Sequence, residues 1–379
     1  MISSGSVTAQ VGATVLDVTD LVLTLDDSWS RYAQCDLTIV TPASTGPLDP
    51  RLAPLVTITL SQQFGPVKPV SNLTTLWAGK AVSALTTAWK TKLVSAMSAA
   101  YGSGAWTGAY REPGLVSAEL HVRRWTINLD GTTTLHLETH DAFLEDLRSM
   151  HGANWLYTSD TLRGLIIEVF HELETMTGRT FTLATGWEDM AVMPYPTLKP
   201  GQTYQEFFTP YLQQGGLRLW CDLDGVFRLT LADVAIAGSI TLDGSQTVTG
   251  ADDTIDRDHD LWADGVAVIY NEAATGNVSM YPTDGRPVSK VLSVTVDALA
   301  PFNQFSTWDQ VEAAAKNIWT RLQNRGREAT TDAVNDYSAR PGMGATIQLP
   351  GQPTRSGIIR AVTWKTAGNT MTTTTRNLE

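Results

Sequence analysis

Twice along this chain an Asp-Gly pair stands between two runs of strand-forming residues. Residues 118–129 and 132–139 flank Asp130-Gly131, and residues 217–221 and 226–231 flank Asp224-Gly225. Asp-Gly favours a tight hairpin because glycine takes positive φ at no steric cost and aspartate tolerates it. A chain with two such hairpins is committed to antiparallel sheet. Strand character recurs elsewhere: residues 15–25, broken by the polar Asp17, Thr19 and Asp20; residues 31–41, with alternation in CDLTIV; LVTITL at 55–60; and 77–82. Later come 265–270, 291–296, 345–349, 357–363 and 371–375. Period-two alternation of apolar and polar residues is what a half-buried strand requires.

Helical patterning is confined to a few stretches. Leu162, Leu165, Ile166, Val169, Phe170 and Leu173 repeat at the spacing of one helix face, with Asp160 as the expected N-cap and Gly178 as the stop. Thr203 and Glu206 form a capping box, in which each side chain satisfies a backbone donor of the other. The short helix they open carries Phe207, Phe208, Tyr211 and Leu212, is expected to kink at Pro210, and ends at Gly215-Gly216. Thr307 and Gln310 form a second box, ahead of a stripe of Val311, Ala314, Ala315, Ile318, Trp319 and Leu322. The expected class is therefore α+β and strand-rich, a set of small domains with three helices.

A length of 379 residues corresponds to about two to four domains. The expected division is 1–140, a β domain interrupted by an insertion at 81–113; 141–250, mixed α/β; and 251–379, a second β domain with a helix at 307–325. The insertion is rich in Ala, Ser and Gly and carries Trp89, Tyr101, Trp106 and Tyr110, with Gly102, Gly104 and Gly108 giving its tip backbone freedom. Aromatics gain little on a free loop and are enriched at binding hot spots, so these four are the expected partner-binding residues. The competing reading folds them back onto their own domain.

Composition narrows function. Charged residues make up 17% of the chain, below the ~25% of an average globular protein. Large buried contacts between chains have charge-depleted cores, which this composition suits. A formal charge of −12 argues against holding nucleic acid by neutralising phosphates. The first residues show no basic stretch followed by an apolar run, so no signal peptide is expected, and the lack of any run of about 18 apolar residues implies no stable membrane insertion. The two cysteines, Cys35 and Cys221, lie far apart in apolar runs and read as buried free thiols.

Catalytic motifs are incomplete or missing. His171-Glu172 begins the HExxH pattern of a zinc peptidase, but Thr175 stands where the second histidine belongs. His136, Glu138 and His140 alternate beside Asp141, a spacing read as a solvated strand face rather than a complete metal site. Asp252, Asp253, Asp256, Asp258 and Asp260 lack the mid-loop glycine and distal glutamate of a calcium loop and read as a solvated linker. No phosphate-binding loop, dinucleotide fingerprint or nucleophile elbow occurs. The chain is therefore expected to have no catalytic, cofactor or metal site. Twelve tryptophans, including Trp29, Trp77, Trp106, Trp155 and Trp187, suit packing and interfaces, or alternatively stacking on carbohydrate.

Three stretches resemble the tail hub family of phages, which includes baseplate hubs, late control protein D, the hub half of type VI secretion spikes and tail-tip minor tail proteins. They are TYQEFFTPYLQQGGLRLWCDLDGVFRLTL at 203–231, DLWADGVAVIY at 260–270, and residues 338–377, where Pro341-Gly342-Met343 precedes a strand, IIRAVTW follows and a Thr-rich strand closes the chain. The insertion at 81–113 departs from the minimal pattern. The resemblance implies a homotrimer in which two related β-barrel-like tube domains per subunit, with a helix-bearing region between them, make a pseudo-sixfold ring. It implies a structural virion protein, assembled in the host cytoplasm, at the tail tip. Its partners would be the tail tube or distal tail protein, the tape measure protein and other tail-tip proteins, with DNA passing through without specific binding. A carbohydrate-binding tail-tip protein is the alternative, and a tail-associated hydrolase a third.

Overall fold

A computed structural model describes residues 2–27, 31–65, 114–192, 196–232, 235–243, 248–254, 263–271, 275–280, 288, 290–295, 311–312, 315–319, 328–349 and 351–376. The expected strand at 77–82, the insertion at 81–113 and the capping box at Thr307 and Gln310 lie outside them. The strand-rich α+β class is the one observed.

The first third supplies β1 (Ile2–Val11), β2 (Thr14–Leu16), β3 (Val18–Asp26), β4 (Ala33–Val40), β5 (Leu55–Gly65), β6 (Gly114–Ile127) and β7 (Thr132–Glu138). Asp17 divides the expected 15–25 run into β2 and β3, and the register shifts between Val18 and Asp20. From Leu21 onward in β3 and throughout β4 every second residue is buried, including Leu21, Leu23 and Leu25 against Cys35, Leu37 and Ile39. The β6–β7 loop is longer than the two central residues of the Asp-Gly signal. Strand β6 stops at Ile127, Asn128 donates to the Thr132 carbonyl at 2.8 Å, and Leu129 is fully exposed. Gly131 still takes the positive φ, +83°, that the Asp-Gly signal anticipates.

The middle third is a helical layer: α1 (Ala142–Asp146), β8 (Trp155–Leu156), α2 (Leu162–Thr177), β9 (Thr182–Leu183), β10 (Thr197–Leu198), α3 (Tyr204–Gly215), β11 (Leu217–Cys221) and β12 (Val226–Leu231). All six residues of the α2 stripe are buried. Its N-cap is Thr161 rather than Asp160: the Thr161 hydroxyl accepts from the Gly164 N–H at 3.2 Å, while the Asp160 carbonyl is taken by Val192 N–H. Gly178 closes the helix at φ +66°. The Thr203–Glu206 box forms as expected, with both reciprocal bonds at 3.0 Å. Strands β11 and β12 pair as the Asp-Gly signal predicts. Phe143, Phe170, Phe181, Tyr204, Phe208 and Phe227 lie in the separate core of this layer.

The last third gives β13 (Ser239–Asp243), β14 (Val248–Thr254), β15 (Gly265–Asn271), β16 (Thr275–Met280), β17 (Val291–Thr295), β18 (Glu328–Val334), β19 (Gly344–Gln348), β20 (Arg355–Lys365) and β21 (Thr370–Arg376). Strands β15, β16 and β17 form their own three-stranded sheet, on which Val311, Ala315, Ile318 and Trp319 of the expected stripe pack. The other strands of this third do not stand alone. They join the first third in one thirteen-stranded sheet, ordered β14-β18-β21-β20-β3-β4-β7-β6-β5-β1-β2, with β19 also pairing β20 and β13 pairing β19. The junction is β20 against β3, where Trp364 faces Leu23 and Val362 faces Leu25. One hydrophobic cluster runs beneath both halves, from Leu21 and Leu137 to Ile359 and Met371.

Candidate assembly site

The junction carries charge inside a core. Arg376, at the end of β21, donates through Nη2 to Asp27 Oδ2 at 2.8 Å, and both side chains are buried. Arg218 of β11 enters from the helical layer, donates to the Asp26 carbonyl at 3.0 Å and lies over the Tyr32 and Trp220 rings at 5.5 and 5.4 Å. Burial pushes the Arg218 guanidinium below its usual range even though Asp27 and Asp141 favour its charge. Burial also raises the Tyr32 phenol to about 12 and the Asp141 carboxyl above the ordinary range. A buried arginine with such partners fixes the helical layer to the seam between the two sheet halves, because leaving either charge alone there would cost several kcal/mol, about 3–5.

A second ionic cluster braces the first half. Glu138 is 1% exposed, so the solvated strand face expected for His136 and Glu138 is not what forms. Arg31 and Arg123 both pair with the Glu138 carboxylate, and His136 Nε2 lies 3.0 Å from it. His136 Nδ1 meets Asp36 at 2.9 Å. Arg31 continues to Glu145 at 2.8 Å and Arg123 to Asp146, which ties α1 to β7. His140 lies past the end of β7 and leaves this group, bonding His121 instead. Asp141 accepts from Tyr32 N–H and the Thr139 hydroxyl.

The surfaces that could receive partners are the two ends of the sheet and the exposed apolar side chains. Among the described residues β14 pairs on one side only, with β18, and β2 only with β1. Asp252 and Asp253 lie in β14; Asp256, Asp258 and Asp260 lie outside the described residues. A cavity of about 270 Å³ opens beside β14, lined by Asp252, Ala329, Ile347, Leu349, Pro353 and Arg355. Unpaired strand edges are templates for pairing with another chain. Trp155 and Trp187 are exposed, Trp155 stacked on His151 at 4.2 Å, whereas Trp364 is buried and donates to the Asp336 carbonyl at 3.0 Å.

The four residues expected to bind partners, Trp89, Tyr101, Trp106 and Tyr110, lie outside the described residues. His171 and Glu172 diverge: His171 is exposed on α2, while Glu172 accepts from the Tyr157 and Tyr204 hydroxyls at 2.6 Å each and lies 2.9 Å from His151 Nε2. Cys35 and Cys221 are free and buried, and burial drives both thiols well above their usual range. Among the described residues no three His, Cys, Asp or Glu side chains are placed to hold a metal ion, and no helix is long and apolar enough to cross a membrane. Sequence reasoning missed Arg218, Asp27, Arg376, Arg31, Arg123 and His121. A signal existed for Arg218: a lone cation within the apolar run LRLWC implies a buried partner.

This layout, a long sheet uniting the two ends of the chain with a helical layer between them in sequence, is a fold shared with solved tail proteins, two of them from prophages. The tail protein of Neisseria meningitidis MC58 has it, with a TM-score of 0.61 at 11% identity over 99% of this chain and 96% of that one. The 43 kDa tail protein of prophage MuSo2 from Shewanella oneidensis matches at 0.56 and 11% identity over 97% of both chains. Prophage tail protein gp18 from Listeria monocytogenes EGD-e matches at 0.51 and 8% identity over 98% of this chain and 94% of that one. No family model and no curated protein sequence matches the chain.

Proposed function

We propose that this chain is a structural tail protein of a phage virion, a homotrimeric hub at the tail tip that caps the tail tube and forms part of the DNA exit path. The observation that carries the reading is the likeness of fold to solved tail proteins over nearly the whole chain. The fused sheet supports it. Two β halves joined edge to edge, each with an unpaired outer strand among the described residues, suit a ring whose subunits meet by different faces on their two sides. On this reading the halves are the two tube-like domains, and three subunits present six of them. The distal tail or tube protein, the tape measure protein and other tip proteins are the partners, and Trp89, Tyr101, Trp106 and Tyr110 of the 81–113 insertion contact one of them. The formal charge of −12 supports passage of DNA without retention. The protein has no catalytic role, and its assembly takes place in the host cytoplasm. Counting copies at the tip of purified tails by cryo-electron microscopy tests the proposal: three are expected, and any other number overturns the hub. Limited proteolysis tests the insertion: cleavage within 81–113 in the isolated chain and protection in the tail are expected, and equal protection in both overturns the contact.

A further inference from the structure

His121 and His140 face each other through Nε2 atoms 3.0 Å apart, with ring centroids 4.2 Å apart and planes at 83°. Two contacts at His121 Nδ1 compete, the Ala53 carbonyl at 2.9 Å and the Arg179 Nη1 donor at 3.4 Å, and the shorter one assigns the protons. His121 Nδ1 lies 2.9 Å from the Ala53 carbonyl, which can only accept, so Nδ1 carries the hydrogen. In the neutral ring His121 Nε2 is then an acceptor, and His140 Nε2 must be the donor. His140 Nδ1 is left as a buried acceptor that no hydrogen bond reaches.

The pair sits where three parts of the fold meet. His121 belongs to β6 of the large sheet, and His140 precedes α1. Arg179, following α2, places Nη1 3.4 Å from His121 Nδ1 and donates through Nη2 to the Leu52 and Ala53 carbonyls at 2.7 and 3.1 Å. Phe143 packs 5.0 Å from the His121 ring and Phe181 lies 6.3 Å from the His140 ring. Gly225, in the β11–β12 turn, closes the other side: a Cβ there would stand 3.2 Å from His140 Cε1 and 3.6 Å from Glu119 Oε2. The charged groups around the pair are Arg179, Arg123 of β6, Glu119 of β6 and Asp141 beside His140; Asp141 is already occupied by Tyr32 N–H and Thr139.

We propose that the His121–His140 pair, at the end of the β6–β7 hairpin, is an acid-released latch: while both rings are neutral they receive Arg179 and Phe181 of the helical layer, and when they take up protons that contact opens. One added proton has a place, His140 Nδ1, and leaves the Nε2–H···Nε2 bond standing. A second must go to His121 Nε2, where it turns the acceptor into a donor and sets two imidazolium rings against each other beside Arg179. Burial, and for His140 the neighbouring His121, lowers the two from 6.5 to about 4 and about 3. An unfolded or opened segment takes protons that the closed latch refuses. The stabilisation is therefore complete above about pH 6.5 and is lost progressively as the pH falls towards 4.

Hydrogen exchange on the whole chain, corrected for the intrinsic rate at each pH, tests the latch. Between pH 7 and pH 5 the amides of α2 and of residues 179–183 should lose protection by about tenfold or more, while those of β4 and β7 hold. The doubly substituted His121→Gln, His140→Gln chain should lose this pH response; a response equal to that of the parent overturns the proposal. Nitrogen-15 spectra of the imidazoles in the unsubstituted chain give a second reading that needs no variant to fold. Two rings still neutral at pH 5, one of them protonated at Nδ1 and the other at Nε2, are expected. Titration of both near 6.5 overturns the latch.

Discussion

Arg376 and Asp27 are 349 residues apart in sequence and meet through a bond of 2.8 Å inside the core. The pair lies beside the β20–β3 seam, where the last third of the chain becomes continuous with the first. Its burial makes it expensive to break and cheap to replace as a unit.

Substituting Arg376→Met alone should therefore destabilise the fold by about 3–5 kcal/mol, because it removes one member of a buried charge pair. Arg218 also faces Asp27 and holds the loss toward the lower end. Arg376→Met together with Asp27→Leu should cost less than the sum of the two single changes. Urea denaturation midpoints of the four chains check this; strict additivity would show that the two groups do not act as a pair.

Gly131 and Gly225 both sit in Asp-Gly turns at positive φ, +83° and +75°, but their surroundings differ. A Cβ at Gly131 meets nothing within 4 Å, so Gly131→Ala carries only the left-handed strain of about 1–2 kcal/mol. Gly225→Ala adds a contact of 3.2 Å with the half-buried His140 ring and should cost distinctly more. Thermal melts of the two variants side by side give the comparison, and equal losses would contradict it.

Adjacent in sequence, His171 and Glu172 should respond very unequally to substitution. His171→Ala changes an exposed side chain and should alter stability by no more than about 0.5 kcal/mol. Glu172→Ala removes the acceptor for two tyrosine hydroxyls and should cost about 1.5–3 kcal/mol. Burial and then Glu172 raise the Tyr157 and Tyr204 phenols, so Glu172→Gln should bring both down in an ultraviolet absorbance titration. Unchanged phenol titration would contradict the bonding described.

The α3 capping box supplies a local test. Thr203→Ala should cost about 0.5–2 kcal/mol by leaving the Glu206 N–H without its side-chain acceptor, and Thr203→Ser should recover most of it. Chemical denaturation followed by circular dichroism reads both; equal losses for the two would assign the effect to packing of the Thr203 methyl instead.

The sequence by itself determined the features whose partners lie within a few residues. The α2 stripe, the Thr203–Glu206 box, the positive φ of Gly131 and Gly225, and the pairing of β11 with β12 are all of this kind. Each depends on side-chain spacing along one helix or across one turn, and that spacing is written in the chain. Alternation also told which face of β3 or β4 turns inward. It could not tell which strand lies beside which, because a period of two says nothing about a neighbour hundreds of residues away. Only the tertiary structure decided that β20 pairs β3, that Arg376 finds Asp27, and that His140 leaves the His136–Glu138 line to meet His121. The opening segment shows the same limit: ISSGSVTAQV has little strand preference, and it becomes β1 by pairing along β5 from Ile2 with Gly65 to Val11 with Val56. Strand formation there is settled by the ladder it joins, since edge hydrogen bonds and burial outweigh weak local preference.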